Sequence, residues 1–183
     1  MKKTLTLIAM IALTAGVAIA QPRAVGARVG YNFEASYQHE LITGMLEVDA
    51  GLSPFITSTG IEYTEDGDRI THHYRYGRAQ VMLLYDWLAN ITDDLYWYIG
   101  AGVGVSWGYG EFFDSPHYDK QGKLTDYRRL GLPVAAQIGL EYDFGIPLNL
   151  SIDWRPGVNL FGLRQGDLTS NLLNIAIGVR YRF

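Results

Sequence analysis

The residue types that most often carry chemistry are few in this chain, and their spacing favours structural roles. The sequence has four histidines and no cysteine, which excludes disulfides and thiolate chemistry. His72 and His73 are adjacent, and adjacent side chains of a strand point to opposite faces, so this pair is poorly placed to share one metal ion. His117 and His39 fall in other parts of the chain. We expect no metal site.

The run Asp114-Ser115-Pro116-His117 contains the residue types of a hydrolase. Nucleophilic catalysis needs the serine within hydrogen-bond reach of a base that a third group orients. The same residues are typical turn formers, and a loop composed of them does not hold that geometry. We therefore expect no catalytic residues and no enzymatic activity.

The glycines at positions 100, 102 and 104 resemble the spacing of a nucleotide-binding loop. Such a loop requires a following helix whose N-terminus meets the phosphate. The sequence signals no helix here, because Gly108-Tyr109-Gly110 leads into a loop. We interpret the glycines as small residues on one face of a strand, where space is tight, and expect no cofactor.

The strongest signal in the sequence is an alternation with a period of two, which places successive side chains on opposite faces of a strand. In residues 95–107 one set is apolar and aromatic, including Trp97, Val103 and Trp107, and the other is rich in glycine. The same division recurs along the chain. The predicted strands cover residues 25–31, 33–38, 46–53, 78–87, 95–107, 134–144, 148–155 and 173–183.

Residues 25–38 fit either one long strand or two short strands bent at Tyr31-Asn32. A barrel with both ends at one rim needs an even number of strands. Two strands here give eight in total, whereas one gives seven and requires residues 56–65 to supply the eighth. We favour two strands.

The predicted connections fall into short and long classes. Short ones cover residues 39–43, 90–94 and 145–147, with a tight turn at 31–33, and longer ones cover 56–74, 108–129 and 156–170. Asp66-Gly67 is a hairpin signal, which predicts that the first long connection is a β-ribbon extending beyond the barrel.

The N-terminus has the pattern of a secretory signal peptide. Lys2 and Lys3 precede an apolar run, and Ala18-Ile19-Ala20 fits a cleavage site. We predict two segments: a signal peptide at residues 1–20, cleaved near Ala20, and a barrel domain at residues 21–183. The formal net charge of −4 argues against general nucleic-acid binding.

The composition of the two strand faces predicts which of them is inside. If the apolar face were the core, the exposed face would carry runs of glycine and small residues, a poor soluble surface. With the apolar face outside, aliphatic residues form a band between aromatic girdles, as in an outer-membrane barrel. A soluble periplasmic ligand-binding barrel is the alternative.

The polar face then fills the interior with charges that can pair. An eight-stranded barrel is just wide enough for side chains to fill, so we expect a lumen plugged by charged side chains. The predicted lumen charge network consists of Arg28, Glu34, Glu47, Asp49, Arg78, Asp86, Glu141, Asp143, Asp153, Arg155, Arg180 and Arg182.

Five segments carry a resemblance to a known family: GYNFEASYQH (30–39), LEVDAGL (46–52), YWYIGAGVG (96–104), QIGLEY (137–142) and GVRYRF (178–183). In their order and in the terminal aromatic, they resemble the small outer-membrane β-barrel proteins of the OmpA/OmpX-like kind, in the form common in Bacteroidetes-type bacteria. The resemblance covers nearly all of residues 21–183. Two departures are the long 56–74 insertion and Pro133 near a strand start.

The resemblance implies an all-β fold, an eight-stranded antiparallel transmembrane up-and-down β-barrel in the bacterial outer membrane. It also implies that the barrel assembly machinery recognises the last strand through Tyr181 and Phe183. The implied surroundings are outer-membrane lipid and lipopolysaccharide.

One long loop combines aromatic and basic residues that could contact a surface protein, a glycan or lipopolysaccharide. Loops are where specific functions concentrate on a rigid scaffold. The predicted function is structural or surface-interacting, and the alternative on the same fold is a membrane-embedded lipid A-modifying enzyme. The candidate contact residues are Phe112, Phe113, Tyr118, Arg128 and Arg129.

Overall fold

The computed structural model describes residues 23–63, 69–114, 117–118, 124–125, 128–160 and 172–183. The predicted signal peptide at 1–20 and the Asp66-Gly67 turn lie outside these residues. The elements are β1 (Arg23–Gly30), β2 (Phe33–Leu41), β3 (Gly44–Tyr63), β4 (Arg69–Asn90), β5 (Leu95–Tyr109), the helical turn α1 (Glu111–Asp114), β6 (His117–Tyr118), β7 (Leu124–Thr125), β8 (Leu130–Gly131), β9 (Pro133–Asp143), β10 (Leu148–Trp154), β11 (Gly157–Asn159) and β12 (Ile175–Arg182).

Eight long strands form one closed antiparallel barrel. Their order around the wall is β1, β2, β3, β4, β5, β9, β10 and β12, and β12 pairs again with β1. Arg23 and Phe183 close the seam by exchanging backbone hydrogen bonds of 3.3 and 2.8 Å. The predicted all-β, eight-stranded antiparallel barrel is confirmed.

The segment 25–38 consists of two strands, as the parity argument favoured. β1 and β2 form a hairpin in which Val29 lies opposite Phe33. The turn between them is tight, and the Gly30 N–H donates to the Asn32 carbonyl at 3.0 Å. Residues 56–65 therefore add no eighth strand, and their described part continues β3.

The two ends of the barrel differ in their connections. One end, here called the turn rim, carries the short connections 42–43, 91–94 and 144–147 together with Arg23 and Phe183. The other end, the loop rim, carries the tight turn 31–32 and the long connections. Short turns at one rim and longer loops at the other agree with the predicted arrangement.

The β-ribbon predicted at the first long connection is present. β3 and β4 pair continuously as far as Tyr63 opposite Arg69, well beyond the last residues that pair with β2 and β5. The register shifts between Ser53 and Ile56, where the ribbon leaves the barrel. Pro54 lies in this shift, and proline suits a bulge because it has no N–H to donate to the ladder.

Two further prolines lie where strands of the wall are interrupted near the loop rim. Pro133 is the first residue of β9, just after the break at Leu132 that separates β8 from β9. Pro156 separates β10 from β11, and its carbonyl still accepts a hydrogen bond from the Ala136 N–H at 2.9 Å. A proline at a strand start or break costs the sheet no ladder hydrogen bond.

Burial alternates along the barrel strands as the period of two requires. In β5 the even-numbered residues from Tyr98 to Ser106 are buried, and the odd-numbered residues between them are exposed. Most of the buried side chains in the described chain are polar or charged, while large apolar side chains are exposed on every barrel strand. In the described part of the chain, no helix is long and apolar enough to cross a membrane.

Candidate functional site: the charged lumen and the loop rim

The interior of the barrel is cross-linked by three buried arginines that come from three strands or their ends. Arg28 lies on β1, Arg155 directly follows β10, and Arg180 lies on β12. Each is 2% exposed or less. An uncompensated buried charge is costly, so these guanidiniums must be matched by nearby acceptors.

Arg155 is the central residue of this network. It contacts Glu47 at 2.9 Å and Asp49 at 2.5 Å, both on β3, and Glu34 on β2 at 3.4 Å. Its Nε donates to Gln137 on β9 at 2.6 Å. In the strand order β3 is four places from β10, so this side chain reaches the wall opposite its own strand.

Arg28 and Arg180 extend the network around the lumen. Arg28 contacts Glu34 at 2.6 Å on the neighbouring strand and also pairs with Asp153 on β10. Arg180 contacts Glu47 at 3.1 Å and donates to Ser151 at 2.7 Å. Since Glu34 and Glu47 each serve two arginines, the three cations form one connected cluster.

The interior carries more carboxylates than guanidiniums. Among the described residues, six acidic side chains are buried: Glu34, Glu47, Asp49, Asp86, Glu141 and Asp153. Glu141 lies 3.7 Å from Arg180 and accepts a hydrogen bond from Asn149 at 2.8 Å. Asp86 is fully buried with no hydrogen-bond partner among the described residues. Each arginine is therefore shared among several carboxylates, and the loss of one weakens the pairing of more than one acidic group.

The remaining predicted network residues lie towards the rims. Arg182 pairs with Asp143 at the turn rim, where both side chains are less buried than those of the central cluster. Arg78 is half-buried towards the loop rim, beside Ser53, whose hydroxyl accepts from the Arg78 backbone N–H at 2.8 Å. The structure thus places the predicted residues in a central cluster and two outlying positions.

Several amides and one aromatic residue complete the interior although the sequence analysis did not single them out. Gln38 donates to Glu47 at 2.8 Å and Gln80 donates to Glu34 at 2.7 Å. Tyr98 is fully buried, and a Cβ at Gly139 would overlap its ring. All of these residues lie on the polar face of the alternation, which was the signal that could have identified them.

The lumen also contains an apolar layer and glycines that leave room for it. Met82, Leu84 and Ala135 form a buried hydrophobic cluster. A Cβ at Gly102 would overlap Leu84, and one at Gly100 would overlap Asp86. The glycines of β5 therefore leave space for neighbouring side chains in a crowded interior, as predicted from their position on one face of the strand.

A small pit opens at the turn rim and is closed by the charged network. Its volume is about 90 Å³, and its lining includes Arg23, Glu40, Tyr96, Glu141 and Arg182. That volume holds only a few water molecules. Among the residues that the structure describes, no group of three or more histidine, aspartate or glutamate side chains is arranged to bind a metal ion.

At the loop rim the structure joins part of the predicted contact set to the ribbon. Phe113 packs edge-on against Tyr76, with 6.1 Å between ring centroids, and the Arg129 guanidinium carbon lies 5.8 Å from the centre of the Phe113 ring. Arg129 also pairs with Asp114, and Arg128 is exposed. The side chains of Phe112 and Tyr118, like Ser115 and Pro116, lie outside the described part.

The outer surface carries an apolar band between aromatic residues. On β5 the outward residues run from Trp97 near the turn rim to Trp107 near the loop rim, with Val103 and Val105 between them. The aromatics near the turn rim include Tyr37, Tyr85, Trp87, Trp97, Tyr142, Phe144, Tyr181 and Phe183, and those near the loop rim include Phe33, Trp107 and Trp154. The predicted assembly residues Tyr181 and Phe183 are both exposed beside the seam.

Comparison of the chain with protein-family models, with curated proteins and with solved structures found no match.

Proposed function

We propose that this chain is a bacterial outer-membrane β-barrel protein with a structural or surface-interaction role and a lumen plugged by charged side chains. The observation that carries the proposal is the reversed distribution of polarity. Arg28, Arg155 and Arg180 are buried, whereas Val103, Ile152 and Val179 are about half exposed. A soluble barrel has the opposite distribution, because exposing an apolar wall to water is unfavourable.

The height of the apolar band fits a bilayer of the outer-membrane kind. Trp97 and Trp107 are ten residues apart on β5, which corresponds to about 34 Å along a strand. A strand tilt of about 40° reduces that length to roughly 25 Å along the barrel axis, the height of the apolar band of outer-membrane barrels. The aromatic residues then lie at the two interfaces.

The connected charge cluster supports a closed lumen. Arg155 reaches from the end of β10 to Glu47 on β3 in the opposite wall. Arg28 on β1 shares Glu34 with Arg155, and Arg180 on β12 shares Glu47 with it. Because ion pairs cross the full width of the interior, there is no room for an aqueous channel through this layer. We therefore propose a stabilising or displaying role rather than conduction.

The asymmetry of the two rims supports an orientation. In outer-membrane barrels the short turns lie in the periplasm and the longer loops lie outside. The loop rim and the β3–β4 ribbon would then be at the cell surface, beside lipopolysaccharide and within reach of a surface protein or glycan. Phe183 would lie at the periplasmic end, where the barrel assembly machinery engages the last strand.

Fractionation and gel mobility test the membrane assignment. We expect the exported protein in the outer-membrane fraction, soluble only with detergent, and migrating differently on gels with and without heating. Recovery in the aqueous periplasmic fraction would instead identify a soluble ligand-binding barrel.

Conductance in planar bilayers tests the closed lumen. We expect the reconstituted barrel to show no large, steady channels, since the charge cluster spans its interior. A stable open conductance would contradict the plugged lumen while leaving the membrane assignment intact.

A further inference from the structure

A groove on the outer wall, at the end nearest the loop rim, has an apolar floor, and two exposed arginines lie beyond its end. It is open to the outside and has a volume of about 480 Å³. Its floor contains the small residues Ala50 and Ala79, which lie among larger apolar neighbours. The apolar residues of its lining are Ala50, Leu52, Ala79, Val81, Val105 and Trp107.

The head of the groove is covered by an aromatic side chain. Tyr109 lies two residues beyond Trp107 on the outward side of β5, and a Cβ at Gly77 would overlap its ring. Its hydroxyl donates to the Ser53 carbonyl at 3.3 Å, which holds the ring across the top of β3 and β4. Along the barrel axis, the groove therefore ends near the loop rim, where the barrel wall itself ends.

Two exposed arginines lie just beyond this end, Arg75 on β4 and Arg128 two residues before β8. Arg75 is on β4, four residues from Ala79, which corresponds to about 13 Å along the strand. Arg128 precedes Leu130, which pairs with Trp107. Neither guanidinium forms an ion pair with a residue that the structure describes, whereas the neighbouring Arg129 pairs with Asp114.

The end of β5 lies between the backbone segments that carry the two arginines. A Cβ at Gly110 would contact the Arg75 backbone carbonyl, and the Gly108 N–H donates to the Arg129 carbonyl at 2.7 Å. Arg75 and Arg128 thus lie on either side of one strand end, about two inter-strand spacings or roughly 10 Å apart across the sheet, and about two residues or roughly 7 Å apart along it.

We infer that this groove and its arginines form a binding site for a phosphate-bearing lipid of the outer leaflet, with an acyl chain against Ala79 and phosphate at Arg75 and Arg128. The inference rests on the proposed membrane location. Arginine is well suited to phosphate because its planar fork of donors matches the phosphate oxygens. An apolar groove with two exposed cations beyond its end is complementary to an amphiphile that carries both an acyl chain and a phosphate. A free phosphate lacks the acyl chain, and an uncharged lipid lacks the phosphate.

Native mass spectrometry of the detergent-solubilised, folded full chain tests the site. The probes are phosphorylated lipid A, the same lipid after removal of its phosphates, and inorganic phosphate alone. Each exposed arginine near a membrane surface contributes about fivefold to binding an anionic lipid, so we expect R75Q/R128Q to weaken binding of the phosphorylated lipid by roughly 25-fold. The dephosphorylated lipid should bind the double variant and the unaltered protein equally.

Two further variants separate the parts of the site. Ala79→Phe fills the groove from the outer wall, and we expect it to weaken binding of both lipid forms. Arg23→Gln removes one positive charge at the opposite rim, and we expect it to leave lipid binding unchanged. A heat-dependent gel shift of each variant verifies that its barrel is folded.

The inference is overturned if folded R75Q/R128Q binds the phosphorylated lipid as the unaltered protein does, or if Arg23→Gln weakens binding to the same extent. It is also overturned if Ala79→Phe has no effect, or if inorganic phosphate alone saturates the site at the lipid concentration. If the protein fractionates with the outer membrane, each of these results rejects only the lipid site and leaves the proposed function standing. Recovery in the aqueous fraction would reject the proposed function itself.

Discussion

The inner and outer walls of this barrel are built from the same strands but are held by different physics. On β10, Asp153 pairs with Arg28 in the interior, while the adjacent Ile152 and Trp154 are exposed on the outside. The stability of the inner wall depends on ion pairs and hydrogen bonds between specific side chains. The stability of the outer wall requires only that its side chains are apolar. One residue type can therefore be required on the inner face of a strand and excluded from its outer face.

The most damaging change to the inner wall should be the loss of its central cation. In Arg155→Met, the carboxylates of Glu34, Glu47 and Asp49 lose a shared partner, so we expect the free energy of unfolding to fall by about 3–5 kcal/mol. Urea unfolding in phospholipid vesicles measures it. Ile152→Leu, an apolar exchange on the outer wall of the same strand, is the matched control and should change stability by less than about 1.5 kcal/mol. Equal stabilities of the two variants would show that the interior charge cluster contributes no more to stability than the outer wall does.

The complementary change places a charge on the outer wall. Val103 lies between Trp97 and Trp107 on β5, near the middle of the apolar band. We expect Val103→Arg to lower stability in vesicles by about 2–4 kcal/mol, as for arginine at a bilayer midplane. Val103→Leu is the control of similar size without charge. An arginine variant as stable as the leucine variant would mean that this wall faces water.

A smaller effect should follow when a methyl group is added to the crowded interior. A Cβ at Gly139 would overlap the Tyr98 ring and approach Asp153. We expect Gly139→Ala to cost about 1–3 kcal/mol, the usual range for overpacking. Ala101→Val enlarges an exposed residue of β5 and should have almost no cost. The unfolding midpoints of the two variants measure the difference, and a larger loss for Ala101→Val would contradict it.

The smallest effect is expected at the rim of the inner wall. Arg182 and Asp143 form an ion pair at the turn rim in which Arg182 is partly exposed. Exposed pairs contribute about 0–1 kcal/mol, so Arg182→Gln should be nearly neutral in the same unfolding assay. A loss as large as that of Arg155→Met would show that the rim pair belongs to the same tightly coupled cluster.

The sequence predicted the strands and their faces well because the period-two signal depends only on local side-chain order. It placed Arg28, Glu47 and Arg180 on one face from that order alone. It could not predict that Arg155 contacts β3, because that pairing depends on the shear and width of the closed barrel.

The loop rim was less predictable for a similar reason. The packing of Phe113 against Tyr76 joins the helical turn α1 to strand β4, and no short-range pattern encodes it. The small residues Ala50 and Ala79 each fit their own strand pattern. Only the register of β3 with β4, and of β4 with β5, brings the two alanines next to Trp107 on the outer wall to form a groove.

Quenching of the native tryptophan fluorescence by brominated lipids tests the reversed polarity most directly. All four tryptophans are on the outer wall, with exposed fractions of 55% for Trp87, 39% for Trp97, 51% for Trp107 and 44% for Trp154. In vesicles of brominated lipid, we predict strong quenching, with bromine near the headgroups more effective than bromine at the bilayer centre. We also predict little quenching by aqueous iodide. Efficient iodide quenching with no effect of the brominated lipids would contradict the reversed polarity, because the outer wall would then face water.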